Sequence, residues 1–302
     1  MTDSQQDDAF RRLVQRIDPR ARLLRTRRLT GGVSAEITVL EVARSDGETT
    51  KLLVRRHGDS DRAHNPHIAM DEFRLLEIAQ AHALAAPEPY YVDESCDLFP
   101  TPVLVVEYIE GEADFAPTDL AGYLSRVVAE LVKIHEVKET PDLSFLPRQD
   151  KGFGARPADL DTSLSEDRIR AALESASPLS QVNESGLLHG DYWPGNILWR
   201  NGKLAAVIDW EDARIGDPLA DLANCRLELL WWFGAAAMDD FTDRYRSLAR
   251  IDLTNLPFWD LCAALRPCGK LSNWGLDEAT ERRMRALHSL FVSRARELLK
   301  LQ

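Results

Sequence analysis

The stretch Leu187–Asp209, LLHGDYWPGNILWRNGKLAAVID, places two aspartates and an asparagine around a hairpin pattern. Its Asn-Gly pair at 201–202 is the strongest short signal for a two-residue hairpin turn, and apolar runs flank it. In this hairpin Asn196 would face Val207 on the second strand, Asp209 leaves the second strand soon after, and Asp191 lies on the loop that feeds the hairpin. Because paired strands lie under about 5 Å apart and rise roughly 3.3 Å per residue, we expect these side chains to reach one magnesium-sized site.

The same residues carry a family resemblance. HGDYWPGN at 189–196, followed by IDW at 208–210 and GDPLADLA at 216–223, resembles the core of aminoglycoside phosphotransferase-type (APH/choline kinase-like) small-molecule kinases. The resemblance implies an α+β, bilobal protein kinase-like fold. Its small N-terminal lobe is an antiparallel β-sheet with one helix, and its larger C-terminal lobe is mostly helical. We expect a nucleotide-binding lobe at 1–108 and a catalytic and acceptor-binding lobe at 109–302.

The resemblance also implies roles for the three polar residues. Asp191 meets the acceptor hydroxyl as the catalytic residue, while Asn196 and Asp209 hold Mg²⁺ on ATP. Phosphoryl transfer needs charge neutralisation and in-line positioning more than covalent help, so hard oxygen ligands and one carboxylate suffice. His189 resembles the family's structural histidine, and Asp221 the residue that anchors the catalytic loop.

A glycine pair offers a phosphate contact near the amino terminus. Gly31, Gly32 and Ser34 stand in LTGGVS at 29–34, ahead of a β-prone run. Paired glycines let a backbone approach a ligand and offer amide hydrogens to phosphate oxygens. The LxGGxS form resembles the family's nucleotide loop, although a purely structural β turn is the alternative.

The segment KLLVRR at 51–56 reads as a strand whose alternation places Leu53 and Arg55 on one face. The resembling kinases have a lysine on this strand for the ATP phosphates, and the residue two before it packs on adenine. Arg55 is the best match to that lysine, so Leu53 would contact adenine. Lys51, Arg56 or a structural arginine remain alternatives. Glu72, on the following helix, is the expected partner of Arg55 unless it is a solvated helix acid.

The run VLVVEYI at 103–109 indicates the last strand of the first lobe and the hinge. The resemblance implies that adenine bonds to the backbone of Glu107, Tyr108 and Ile109. Apolar residues then recur at helical spacing from Leu120 to His135.

Composition limits the other possibilities. The 302 residues carry a net charge of -12, which argues against non-specific nucleic-acid binding, and no apolar run is long enough for a membrane helix. The run LELLWWFGAAAM at 227–238 reads as one core helix. Four scattered cysteines without a CxxC pair favour the cytoplasm. We expect a monomer or a homodimer.

The function expected is ATP- and Mg²⁺-dependent phosphotransfer to a hydroxyl of a small molecule, such as an aminoglycoside-like compound, a sugar or an amino alcohol. The acidic group Asp239, Asp240 and Asp243 would suit a polycation, or is simply solvated. A nucleotide-binding pseudokinase or regulatory module is the main alternative, suggested by Arg55. A metal-dependent phosphoesterase is a weaker one, because the seven histidines show no clustering.

Overall fold

A computed structural model of the chain describes residues 3–29, 35–149 and 153–300. The chain forms two compact units. The first comprises Met1–Gly111 and Ala205–Glu211, and the second comprises Glu112–Leu204 and Asp212–Gln302. Residues 205–211 therefore belong to the first unit although they lie far along the sequence.

The described residues of the first unit form an antiparallel sheet and three α-helices. The helices are α1 Asp3–Ile17, α2 Asp59–His64 and α3 Ile68–Ala81. The strands are β1 Arg22–Leu29, β2 Ala35–Ala43, β3 Thr49–His57, β4 Pro89–Asp93 and β5 Val103–Glu107. Their order in the sheet is β1-β2-β3-β5-β4. The predicted antiparallel N-terminal sheet is confirmed, while the described residues form three helices where the resemblance implies one.

The core of this unit lies between α1 and one face of the sheet. Phe10, Leu13 and Val14 on α1 pack in one cluster with Leu52 and Val54 of β3. Since side chains alternate along a strand, Leu53, Arg55 and His57 share the opposite face of β3. The strand thus separates a hydrophobic face from a charged one.

The second unit is mostly helical, as expected. Its helices are α4 Leu120–Glu136, α5 Glu166–Ser175, α6 Leu219–Phe233, α7 Ala235–Ala249, α8 Leu256–Leu265 and α9 Glu278–Leu299. Short strands accompany them: β6 Glu112–Ala113, β7 Gly186–Leu188, β8 Ile197–Arg200, β9 Lys203–Val207, which runs on into residues of the first unit, and β10 Arg214–Gly216. β7 pairs with β10, and the third sheet has the order β6-β8-β9.

The expected hairpin is present with one correction. Asn201 and Gly202 both have positive φ, 53° and 70°, as a type I′ turn requires. Asn196, however, ends a 3-10 turn at Pro194–Asn196, so the strand begins only at Ile197. The proline fixes φ at the start of that turn and favours it over an extended strand.

The apolar run at 227–238 is divided between two helices, so the prediction of a single core helix is wrong. Gly234 has φ of 88° and separates α6 from α7. A residue at this φ cannot continue an α-helix, and glycine adopts it without steric cost. Across residues 3–29, 35–149 and 153–300, no helix combines the length and the hydropathy needed to cross a bilayer.

Candidate active site

Asp221 on α6 anchors the loop that carries Asp191. Its Oδ2 accepts the backbone N–H of His189 at 2.7 Å, and its Oδ1 accepts that of Gly190 at 2.9 Å. Gly190 has φ of 83°, and a Cβ there would lie 2.0 Å from the carbonyl oxygen of Asp212. Only glycine fits this turn, so the chain direction at Asp191 is fixed by a buried carboxylate and a close backbone approach.

Two histidines support this anchor. His135 Nε2 lies 3.4 Å from Asp221 Oδ2, and its Nδ1 lies 2.6 Å from the Tyr245 hydroxyl. Burial alone would raise the pKa of Asp221, but the hydrogen bond and charge of His135, with the charge of His189 and its backbone hydrogen bond, lower it. His189 itself is fully buried and accepts the Asp191 N–H at Nδ1, at 3.2 Å. Both histidines are buried and hydrogen-bonded, which fits the structural roles expected of them.

Asp191 and Asn196 are brought together. Asn196 Nδ2 donates to the Asp191 backbone oxygen at 2.9 Å and to its Oδ2 at 3.0 Å. The five-residue separation and the 3-10 turn between them produce this contact. With Nδ2 used in this way, Oδ1 is the atom of the Asn196 amide suited to a hard cation.

Arg266, which sequence reasoning missed, binds the same loop. Its Nη2 donates to Asp191 Oδ1 at 2.6 Å and its Nη1 to the Gly190 carbonyl oxygen at 2.7 Å. Arg266 is the residue that follows α8, and 75 positions separate it from Asp191. No local pattern signals a contact over that distance.

Arg55 forms the centre of a second polar group, in the first unit. Its Nη1 donates to Glu72 Oε1 at 3.0 Å, and its Nη2 donates to Asp209 Oδ1 and Glu211 Oε2, both at 2.5 Å. Arg55 is 8% exposed. Burial would lower the pKa of Arg55, but the three carboxylates raise it well above its ordinary value. The guanidinium is therefore permanently charged, and the three carboxylates compensate its positive charge.

Asp209 occupies a strained backbone position. Its φ is 69°, in the left-handed region, and its side chain is 37% exposed. The Trp210 indole N–H donates to the Val207 carbonyl at 2.9 Å across the same turn. Asp tolerates this region better than most residues, and strain of this kind clusters at functional sites.

His57 extends the Arg55 group and was not predicted. Its Nε2 lies 3.1 Å from Glu72 Oε2, and its Nδ1 lies 3.6 Å from Glu211 Oε2. Burial would lower the pKa of His57, but the neighbouring carboxylates of Glu211 and Glu72 outweigh it and raise the pKa. The signal was available, because strand alternation places His57 beside Arg55. His57, Asp61 and Glu211 also offer ligand atoms within 4.8 Å of one another. A cation there would compete with Arg55 for Glu211.

The alternatives to Arg55 on β3 are engaged elsewhere. Lys51 Nζ lies 2.6 Å from Glu110 Oε1, and Arg56 Nη2 lies 2.6 Å from Glu36 Oε2. The Arg56 guanidinium also lies 5.0 Å from the centre of the Phe99 ring, on the hydrophobic face of the sheet. Arg55 is thus the basic residue of β3 that lies with Glu72 and Asp209. Leu53 shares its face and is partly exposed.

The hinge has fewer open amides than expected. The Glu107 N–H donates to the Glu88 carbonyl at 2.8 Å, and the Tyr108 N–H donates to the Lys51 carbonyl at 3.3 Å. Of the three predicted hinge residues, Ile109 is therefore the one whose N–H suits adenine. Gly31, Gly32 and Ser34 lie outside the described residues.

A half-buried glutamate accompanies Asp191 in the second unit. Burial, and then the charge of Asp191, raise the pKa of Glu228 to about 8, although Arg266 and the Trp232 indole oppose the shift. Glu228 lies on α6, one turn before Trp232. An acid with this pKa is largely protonated at neutral pH.

A family model described as "Phosphotransferase enzyme family" matches residues 25–259. The chain belongs to this family. Solved structures with a kinase-like fold align with the chain: macrolide 2′-phosphotransferase from Brachybacterium faecium aligns with a TM-score of 0.60 at 16% identity, covering 97% of both chains. A thermostable mutant of aminoglycoside phosphotransferase APH(4)-Ia aligns with a TM-score of 0.60 at 18% identity, covering 94% of this chain and 98% of that one. The expected family and fold are confirmed.

Curated relatives are matched over shorter segments. Acyl-CoA dehydrogenase family member 11 of Pongo abelii is 23% identical over 182 residues, which are 53% of this chain and only 23% of that protein. Hygromycin-B 4-O-kinase of Escherichia coli is 35% identical over 71 residues, or 24% of this chain and 20% of that protein. The chain thus spans about a fifth to a quarter of the length of these relatives.

Proposed function

We propose that this phosphotransferase moves the γ-phosphate of ATP to a hydroxyl group of a small molecule and needs Mg²⁺ to do so. The observation that carries the proposal is the construction of the Asp191 loop. Two of its amides are held by the buried Asp221, its turn admits only glycine at Gly190, and Asn196 is tied to Asp191. A site held this firmly is what positioning-based phosphoryl transfer requires.

Residues 1–108 are the proposed nucleotide lobe and 109–302 the proposed acceptor lobe. Arg55 is assigned to the ATP phosphates, and Glu72 orients it. The Arg55 Nε–H is buried without an acceptor among the described residues, so a phosphate oxygen would satisfy a donor that otherwise lacks one. Leu53 would contact adenine and Ile109 would donate its N–H. Gly31, Gly32 and Ser34 are assigned phosphate contacts from the sequence alone.

Asn196 and Asp209 are the proposed Mg²⁺ ligands. The amide oxygen of Asn196 and the partly exposed carboxylate of Asp209 are hard oxygen donors of the kind that Mg²⁺ binds. When bound, the ion would neutralise negative charge on the phosphates. Arg55 Nη2 holds Asp209 Oδ1, which leaves Oδ2 of the same carboxylate as the simplest ligand atom.

Asp191 is the proposed base. Its carboxylate accepts the proton of the acceptor hydroxyl while the hydroxyl oxygen forms a bond to the γ-phosphorus. The bond from that phosphorus to the β-γ bridging oxygen breaks, and ADP leaves with its electron pair. Arg55 stays charged throughout, because its pKa is raised, and so offsets charge on the departing phosphates.

The relatives support this class of reaction and leave the acceptor open. A structure of the APH(4)-Ia mutant is a ternary complex with ADP and hygromycin B. For this chain an aminoglycoside-like compound, a sugar or an amino alcohol is proposed. Cys96, Cys225, Cys262 and Cys268 are free thiols, which suits the proposed cytoplasmic location.

The test is ATP consumption with a panel of hydroxyl acceptors, measured for the wild type and for Asp191→Ala. Loss of a general base lowers such rates by about 10²–10⁴-fold, while the exposed Asp142→Ala control should match the wild type. An unchanged rate in Asp191→Ala excludes the assignment. Magnesium-dependent ATP binding without transfer to any acceptor would instead favour the nucleotide-binding module.

A further inference from the structure

The acidic group on α7 is already neutralised. Each of its three carboxylates lies within ion-pair distance of an arginine: Asp239 with Arg294 at 2.9 Å, Asp240 with Arg244 at 2.9 Å and Asp243 with Arg246 at 2.8 Å. A polycationic acceptor needs acids whose charge is not already compensated. These residues therefore give no reason to expect a polycation, although the sequence alone left that possibility open.

The charge beside Asp191 is positive. The guanidinium of Arg266 has five N–H donors, of which one goes to Asp191 Oδ1 and one to the Gly190 carbonyl oxygen. Its side chain is 43% exposed, and that of Asp191 is 30% exposed. Arg266 thus has three further donors and a solvent-accessible surface beside the proposed catalytic carboxylate.

Glu228 adds little negative charge at neutral pH. Its pKa of about 8 leaves most of its molecules protonated. Of the three titratable groups Asp191, Glu228 and Arg266, Asp191 is then the anion and Arg266 the cation. The net charge of the three side chains is therefore close to zero. A cationic acceptor would meet Arg266 without a surplus of negative charge to offset it.

We infer that the acceptor alcohol carries an anionic group, a carboxylate or a phosphate, and that Arg266 binds this group. The inference rests on the proposed function and narrows its acceptor class. An incoming anion can replace Asp191 as the partner of the guanidinium, since arginine forms two parallel hydrogen bonds with carboxylate or phosphate. The exchange releases Asp191 Oδ1 to accept the hydroxyl proton. Arg266 therefore couples acceptor binding to the availability of the base.

The experiment compares matched pairs of acceptors that differ in one anionic group. Glycerol is compared with glycerate, and ribose with ribose 5-phosphate, using ATP consumption by the wild type, Arg266→Ala and Arg266→Gln. We expect the wild type to prefer the anionic member of at least one pair. Both variants should raise the KM for that member by about 10- to 100-fold and change the KM for its neutral counterpart little, because a charged hydrogen bond is lost. Arg246→Ala, on α7, is the control and should behave as the wild type.

A binding experiment separates this inference from the proposed function. Titration calorimetry measures how tightly the wild type and the Arg266 variants bind the same compounds in the absence of ATP. If transfer fails for every acceptor but anionic members bind with an Arg266-dependent preference, the inference stands and the transfer reaction does not. Equal binding of neutral and anionic members by the wild type overturns the inference, as does a preference for a polycationic aminoglycoside. An equal loss for both members in the folded variants also overturns it, because Arg266 would then only shape the loop.

Discussion

Two arginines in this protein each hold an aspartate with a proposed role in transfer, and they do so in opposite surroundings. Arg55 is 8% exposed and binds three carboxylates, including that of Asp209. Arg266 has a side chain that is 43% exposed and binds a single carboxylate, that of Asp191. The difference separates a group that helps to hold its unit together from one that can change partners.

The physical basis is the cost of removing charge from water. A buried guanidinium is tolerated only when its partners compensate it, and removal of one side leaves an uncompensated charge. An exposed ion pair contributes roughly 0–1 kcal/mol, because water replaces either partner. The arrangement around Arg55 therefore resists change, while the one around Arg266 permits the exchange that acceptor binding requires.

The largest effect is expected from Arg55→Met. The substitution leaves Glu72 and Glu211 beside each other without the Arg55 guanidinium, and breaking a buried pair in this way costs about 3–5 kcal/mol. Urea unfolding measures the loss. The matched control is Arg246→Met, an exposed arginine in a single ion pair, which should change the free energy of unfolding by less than about 1 kcal/mol.

A double variant tests the cause. Adding Glu72→Gln to Arg55→Met removes one of the uncompensated charges and should recover part of the stability. If Arg55→Met were no more destabilising than the control, the Arg55 group would be held no more tightly than the exposed pair, and the comparison would fail.

The second effect is a dependence of stability on pH that originates in Glu228. Its pKa is about 8 in the folded chain, compared with an ordinary value of 4.5. Between these values the folded state binds more protons than the unfolded state. The contribution of Glu228 to the free energy of unfolding is therefore fully present below pH 4.5 and is lost as pH rises to about 8. The free energy of unfolding falls by at most about 1.4 kcal/mol per pH unit over this range.

Glu228→Gln should remove this slope. Unfolding free energies measured from pH 5 to pH 8 would fall less steeply in the variant than in the wild type, while the exposed Glu184→Gln would keep the wild-type slope. Identical slopes in wild type and Glu228→Gln would mean that Glu228 is ionised. Asp191 would then lie beside a second anion, and the charge balance inferred around Arg266 would be lost.

The contacts around Arg55 were more predictable from the sequence than those around Arg266. The pairing of Arg55 with Glu72 followed from strand alternation and a family resemblance, because one strand and the next long helix carry both residues. The same strand alternation, extended by two residues to His57, also predicts that His57 lies beside Arg55. The hairpin turn at 201–202 was predictable because its residues demand positive φ.

The Arg266 group had no comparable signal. Its contact with Asp191 joins residues 75 positions apart, and the pKa of Glu228 depends on burial that only tertiary packing creates. The break between α6 and α7 was visible in principle as Gly234, yet the apolar run around it favoured one helix. Local rules fix single elements, whereas contacts between distant elements depend on how the helices pack.

A smaller effect is expected from Asp209→Asn. Arg55 keeps Glu72 and Glu211 as partners, so the loss of one charged hydrogen bond should cost about 1.5–3 kcal/mol at most. Asparagine also tolerates the φ of 69° at this position. Asp209→Ala should be a further ~1 kcal/mol less stable, because alanine does not tolerate it. Thermal unfolding of both variants checks the order, and equal stability would show that the backbone at Asp209 is unstrained.

The smallest effect on stability is expected from Arg266→Ala. Its ion pair with Asp191 is partly exposed, so its removal should lower the free energy of unfolding by less than about 1 kcal/mol. The loss should shrink further in 1 M salt, where the screening length is about 3 Å, whereas the loss in Arg55→Met should change little. Denaturant unfolding at low and high salt measures both. A loss as large and as insensitive to salt as that of Arg55→Met would show that Arg266 is a fixed part of the loop. Since a fixed guanidinium cannot leave Asp191 for an incoming anion, that result would leave the two arginines with the same structural role.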